Sequence, residues 1–188
     1  VMEGACGGII LTASHNPKEY NGYKVYSSDG IQISKEVANK ISKNSSEIED
    51  FLDYKFPEVE SIISLDRDHE VVKSYYEKAK KTIEEFSFEN DEKSSISIVY
   101  TGLHGVGGEY IPEFLRENGY DNLHFVEEQM EPSKEFSTTP SPNPEDEKVF
   151  EYGKKLALKF NSDVILATDP DADRLGVMIK HNGRYEYL

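Results

Sequence analysis

Apolar residues occur in short bursts whose borders are small, polar or glycine-rich, and the spacing of each burst predicts an element. The run Gly8 to Leu11 ends in Thr12-Ala13-Ser14-His15-Asn16-Pro17, where small polar residues and an Asn-Pro step predict a strand running into a loop with Ser14 at its mouth. Tyr20 to Tyr26 followed by Ile31 and Ile33, interrupted by Ser27-Ser28-Asp29-Gly30, predicts a hairpin, and Ser34 is placed to cap a helix over Lys35 to Asn44. The acidic, poorly patterned stretch Ser45 to Asp66 reads as a connection. Beyond it Val72, Tyr75, Tyr76, Ala79, Ile83 and Phe86 fall on one helical face, and a second unit begins.

In that unit the pattern alternates. A strand over Ser95 to Tyr100 leads through Gly102, Gly105, Gly107 and Gly108 into a helix carrying Tyr110, Ile111, Phe114 and Leu115, closed by Asn118-Gly119. Leu123 to Val126 is the next strand. After Pro140, Pro142 and Pro144, Asn143 is expected to cap a helix with Pro144 at its first position and Val149, Gly153, Leu156, Ala157 and Phe160 inward, and Val164 to Thr168 returns as a strand. Strand alternating with helix predicts an α/β layer with a largely parallel sheet and a site at the carboxyl ends of its strands.

Charge narrows the chemistry. Among 188 residues, 21 Lys and Arg against 36 Asp and Glu leave a formal charge of −15, a field that repels nucleic acid and anionic membranes. No apolar stretch approaches the ~18 residues needed to span a bilayer, no leader is visible, and the single Cys6 suits a reducing compartment, so the expectation is a cytoplasmic protein. Against that background the concentration of carboxylates in Asp169-Pro170-Asp171-Ala172-Asp173-Arg174, directly after an apolar strand, is costly without a cation. Pro170 fixes its own φ and pushes Asp169 toward extended geometry, which favours a preset loop, and hard oxygen donors of this kind suit Mg²⁺ or Ca²⁺. An EF-hand fails, because the positions that need Gly and Glu are Arg174 and Lys180. A haloacid-dehalogenase-type site with Asp169 as nucleophile stays open, although that pattern places Thr or Val where Asp173 stands. So does a solvated acidic turn.

A serine hydroxyl needs a base or a metal field to become a nucleophile. His15 follows Ser14, but neighbours on an extended chain point apart, which argues against a direct relay between them. Asn16 and the loop amides are placed to bind phosphate. The Gly-x-Ser-x-Gly elbow of serine hydrolases is absent. Gly102-Leu103-His104-Gly105-Val106-Gly107-Gly108 has amides that could cradle phosphate, yet glycine there is also what a tight turn needs, and it is left outside the site.

Taken together, Thr12 to Pro17, Gly22-Tyr23-Lys24-Val25-Tyr26 and Asp169 to Arg174 closely resemble the α-D-phosphohexomutase superfamily, and Glu19 to Tyr26 with Phe136 to Pro144 look most like its phosphoglucomutase branch. The resemblance covers nearly the whole chain. It implies mixed, largely parallel sheets flanked by helices, as two units of a normally four-domain phosphohexomutase: residues 1–66 as the C-terminal part of the first domain, and residues 67–188 as the second. It further implies that Ser14 is the phosphoserine, that Asp169, Asp171 and Asp173 hold Mg²⁺ with the serine phosphate as a further ligand, that Arg174 steadies the phosphoryl group, and that Lys24 is the acid/base for the sugar hydroxyl with His15 assisting. The implied reaction interconverts glucose 1-phosphate and glucose 6-phosphate through glucose 1,6-bisphosphate. The partners are then a hexose phosphate and the remaining domains of the same polypeptide. A phosphopentomutase or phosphomannomutase, the Asp169 phosphatase or mutase, and a non-catalytic sugar-phosphate binding module are the competing readings. The 188 residues alone are expected to fold at least in their second half and to lack mutase activity, with residues 1–66 frayed.

Overall fold

Residues 4–50, 52, 55, 58, 62–65, 69–84, 90–139 and 141–188 are described in the computed structural model. Phe86, Pro140 and most of the stretch 51–66 lie outside them. Two units emerge, Val1–Leu11 with Gly22–Lys73, and Thr12–Asn21 with Ser74–Leu188.

In the first unit, β1 (Gly7–Leu11) pairs antiparallel with β2 (Tyr23–Ser27), Ile9 opposite Val25. All five β1 residues are exposed, Leu11 by 78%. The expected return of the chain at Ile31 to Ile33 is reduced to a bridge between Tyr26 and Gln32, because Asp29 and Gly30 close a tight turn in which Ser27 and Ile31 already bond each other. Ser34 caps α1 (Lys35–Ser46) by accepting from the Val37 amide at 3.4 Å, as its position before the helix predicts.

The second unit is built on a five-stranded sheet. Its order is β4 (Leu123–Phe125), β3 (Ile98–Thr101), β5 (Val164–Thr168), β6 (Leu175–His181) and β7 (Arg184–Tyr187). β4, β3 and β5 run parallel, and β6 and β7 turn back antiparallel, giving the mixed sheet expected. Two boundaries and one side-chain orientation differ from the sequence reading. Ser95 ends α3 (Asn90–Ser95) instead of starting a strand. Asn143 makes an Asx turn onto the Glu145 amide, and it is Asp146 that caps a 3-10 turn, Glu147–Phe150, leading into α5 (Glu151–Phe160). Phe160 is 43% exposed and stacks on His124, centroids 3.8 Å apart, instead of facing inward.

The core is the apolar contact between sheet and helix: Val99, Ile165, Ala167 and Met178 from strands, with Val149, Phe150 and Ala157 around α5, all almost fully buried. Gly153 sits where a methyl would lie 2.8 Å from Ile165 Cγ2, so α5 rests directly on the sheet. On the other side of β3, α4 (Gly107–Glu117) carries Phe114 against Tyr76 of α2 (Glu70–Glu84), and the Tyr76 hydroxyl donates to Tyr110 O at 3.1 Å. Tyr75 is 64% exposed and is no part of the core. Among the described residues no helix is long and apolar enough to cross a membrane.

Candidate phosphoryl-transfer and metal site

The acidic loop is the connection between β5 and β6, and its base is closed by the pairing of Thr168 with Leu175. Its organiser is Asp169. That side chain is fully buried, and its Oδ1 accepts the backbone N–H groups of Asp173 and Arg174, each at 3.0 Å. The Ala172 amide donates to Asp169 O at 2.9 Å, and Ala172 itself takes φ +56°, curling the chain so that all three carboxylates face one space. One oxygen from each of Asp169, Asp171 and Asp173 lies within 4.8 Å of the others.

Burial, followed by the neighbouring Asp171, raises the Asp169 pKa above the usual carboxylate value, against the lowering effect of its bonds from the Arg174 amide and Ser14. Burial and the neighbouring carboxylate thus oppose the charge on Asp169 unless positive charge is supplied. The donors are hard oxygens, they come from buried, half-buried and exposed residues in turn, and their closeness lets the residues hold a hard divalent cation of the Mg²⁺ or Ca²⁺ kind.

The serine segment Thr12–Asn21 belongs to the same unit as this loop. Ser14 Oγ donates to Asp169 Oδ2 at 2.8 Å. Thr12 Oγ1 donates to Asp171 Oδ2 at 3.2 Å and accepts the Ser14 amide at 2.8 Å, so one hydroxyl ties the serine backbone to the second carboxylate. The segment is not extended at Ser14. Its φ of +51° turns the side chain toward the next residue and brings Ser14 Oγ within 3.2 Å of His15 Nδ1. The expectation that these two point apart is therefore corrected, and the cause is the left-handed serine.

The other expected residues are placed less directly. The Asn16 amide closes a turn onto Ala13 O at 3.1 Å, and its side chain is exposed. Arg174 joins the loop through its backbone, while its guanidinium donates to Glu145 Oε1 at 2.7 Å. Lys24 lies on β2 opposite Ile10, in the other unit. Two contributors were missed in the sequence reading: Thr12, whose hydroxyl stands two residues before the serine, and Glu145, which follows Pro144 and holds Arg174.

Comparison with known proteins gives independent findings. The model described as phosphoglucomutase/phosphomannomutase, alpha/beta/alpha domain II, matches residues 73–183, and the corresponding domain I model matches residues 2–51. A phosphomannomutase of Mycoplasmoides pirum is 35% identical over 184 residues, covering 98% of this chain and 33% of that protein. A phosphoglucomutase of Staphylococcus aureus (strain MRSA252) is 39% identical over 177 residues, covering 90% and 30%. The solved structure of a phosphoglucomutase/phosphomannomutase family protein from Burkholderia thailandensis shares the fold, with TM-score 0.67 at 20% identity over 95% of this chain and 34% of that one. The chain thus spans about a third of the length of the curated relatives it matches.

Proposed function

This chain belongs to the phosphoglucomutase/phosphomannomutase family, and from that premise we propose that it carries the phosphoserine and metal parts of a hexose-phosphate mutase working between glucose 1-phosphate and glucose 6-phosphate. The observation that carries the reading is Ser14 Oγ at 2.8 Å from Asp169, beside three carboxylate oxygens gathered within 4.8 Å. We divide the chain into a first-domain part, residues 1–66, and a second domain, residues 67–188. A boundary between the two matched segments supports this division.

In the proposed reaction the Ser14 phosphoryl group passes to a free sugar hydroxyl. The bond from phosphorus to Oγ breaks, a bond from phosphorus to the sugar oxygen forms, and the hydroxyl proton leaves to a base, the role assigned to Lys24. The resulting glucose 1,6-bisphosphate then returns its other phosphate to Ser14. Asp169, Asp171 and Asp173 would hold Mg²⁺, which when bound neutralises the charge that spreads over the phosphoryl oxygens. Thr12 fixes the Ser14 amide, His15 lies within reach of Oγ, and Arg174 exchanges Glu145 for the phosphoryl group. Asp169 as nucleophile is the poorer reading, since that carboxylate is buried and both its oxygens accept hydrogen bonds within the loop and from Ser14.

Mannose phosphate is the second reading, favoured by the Mycoplasmoides pirum relative. The complete polypeptide should carry acid-stable phosphate on Ser14 by peptide mapping, and Ser14→Ala should abolish both the phosphate and turnover. Label on Asp169 with an active Ser14→Ala enzyme would overturn the assignment. The kcat/KM ratio for glucose 1-phosphate over mannose 1-phosphate decides the sugar.

A further inference from the structure

The glycine loop between β3 and α4, residues 102–108, lies directly against the acidic loop. The Val106 amide donates to Pro170 O at 3.0 Å. Gly105 is buried against the same residue: a Cβ there would lie 2.6 Å from Pro170 O and 2.8 Å from Pro170 C. Gly105 does not occupy the left-handed region, so what the position requires is the missing side chain and not backbone freedom. A Cβ at Gly107 would meet Thr168 Oγ1 at 2.5 Å and approach Ala172 Cβ at 3.6 Å. The loop's backbone therefore bonds Pro170, leaves no room for a side chain at Gly105 or Gly107, and passes close to Thr168, Pro170 and Ala172, on both sides of Asp169 and Asp171.

The glycine loop is itself held from behind. Leu103 and His104 both take left-handed backbone, at φ +45° and +63°, an uncommon pair for residues with side chains. Leu103 is fully buried and its amide bonds Thr101 Oγ1 at 3.1 Å. His104 is clamped on four sides: its amide to Gln129 O at 2.8 Å, its carbonyl from the Ser133 amide at 3.1 Å, and its ring to Thr138 Oγ1 at 2.7 Å and Glu131 O at 3.3 Å. A loop fixed this firmly cannot yield when the chain in front of it moves.

We propose that the glycine loop is the positioning element of the metal site: Gly105 and the Val106 amide set the backbone of Pro170, and thereby the spacing of the Asp169, Asp171 and Asp173 oxygens. This rests on the metal reading given above. Gly105 and Val106 are positioning residues, since neither offers a ligand.

The test is Mn²⁺ binding to the full chain, followed by the electron-paramagnetic signal of free Mn²⁺, for the wild type, Gly105→Ala, Val106→Pro, Gly183→Ala and Asp171→Asn. Val106 already has φ −69°, so proline there suits the backbone, removes the N–H donor and sets its Cδ against Pro170 O, displacing Pro170 without adding a side chain at Gly105. Gly183→Ala strains the turn between β6 and β7, where φ is +76°, and reports what general destabilisation does. Gly105→Ala and Val106→Pro should weaken Mn²⁺ by roughly ten- to a hundredfold, the size usual for residues that orient metal ligands. In metal-free protein they should also shift the amide resonances of residues 171–174, while Gly183→Ala lowers the melting temperature and leaves the affinity alone. If Gly105→Ala does not fold, Val106→Pro decides. Unchanged affinity in the two loop variants alongside a loss in Asp171→Asn overturns the positioning role and leaves the metal reading standing. Absence of binding in the wild type as well as in Asp171→Asn overturns both.

Discussion

Replacing Asp169 separates its two jobs, one as an acceptor that folds the loop and the other as a charge. In Asp169→Ala the amides of Asp173 and Arg174 both lose their acceptor. A buried donor left without a partner costs about 1–3 kcal/mol, and water reaching the loop past the exposed Asp173 keeps each nearer the lower end. Asp169→Asn keeps a carbonyl oxygen for both amides and can still bond Ser14, while removing the charge that burial and Asp171 oppose. In chelator the alanine variant should therefore lie about 2 kcal/mol below the asparagine variant, roughly 4–8 °C in melting temperature for a chain of this size.

Because the Asp169 pKa is raised on folding, its protonated form favours the folded state. That contribution is complete below the ordinary carboxylate pKa and is lost as pH rises through the folded value. Without metal, Asp169→Asn should thus match the wild type at low pH and gain on it as pH rises. Thermal unfolding read by near-ultraviolet dichroism of the tyrosines, in chelator from pH 3.5 to 8, measures both. Equal melting of the alanine and asparagine variants would refute the view that Asp169 holds the loop by its backbone bonds.

Thr12→Val should weaken Mn²⁺ binding severalfold by freeing the Ser14 amide and Asp171 Oδ2, whereas Thr12→Ser retains wild-type affinity; equal titration curves for the two would exclude the hydroxyl. Phe150→Ala removes a fully buried ring packed edge-on to Tyr187, and denaturant unfolding should report a loss of about 3–5 kcal/mol. Mg²⁺ at a hundred times its dissociation constant should stabilise the protein by about 2.7 kcal/mol, and Asp171→Asn should abolish that increment at the same concentration in calorimetry.

The parallel half of the sheet was readable because buried strands are continuous apolar runs, as in Val164 to Ala167, and because Asn118-Gly119 marks the end of the helix between β3 and β4; in the first unit Ser34 marked a helix start in the same way. The β6–β7 hairpin was not read, although Asn182-Gly183 between alternating residues is a turn signal with positive φ at both positions. The acidic loop was legible because its three carboxylates are local. The state of Ser14 was not: the left-handed serine bonds Thr12 locally, but Thr12 and Ser14 also bond carboxylates 159 and 155 positions away, and no local pattern records those. Glu145 and Gly105 escaped for the same reason, since what they touch lies 29 and 65 positions on.

The closure of β5 onto β6 also makes length a constraint distinct from chemistry. Six residues separate Thr168 from its rung partner Leu175, and beyond that rung Gly176 and Met178 turn inward while Leu175 and Val177 do not. One inserted residue would either have to be absorbed among the aspartates or slip into β6 and reverse which of its side chains reach the core. Substitutions in the loop are thus local events, but an insertion or deletion is felt by the whole sheet. The segment from Thr168 to Leu175 is therefore no portable part: grafted onto another antiparallel pair of the same register, it would bring its carboxylates with it, but the glycine loop that packs on Pro170 and the serine segment would have to be transplanted as separate pieces.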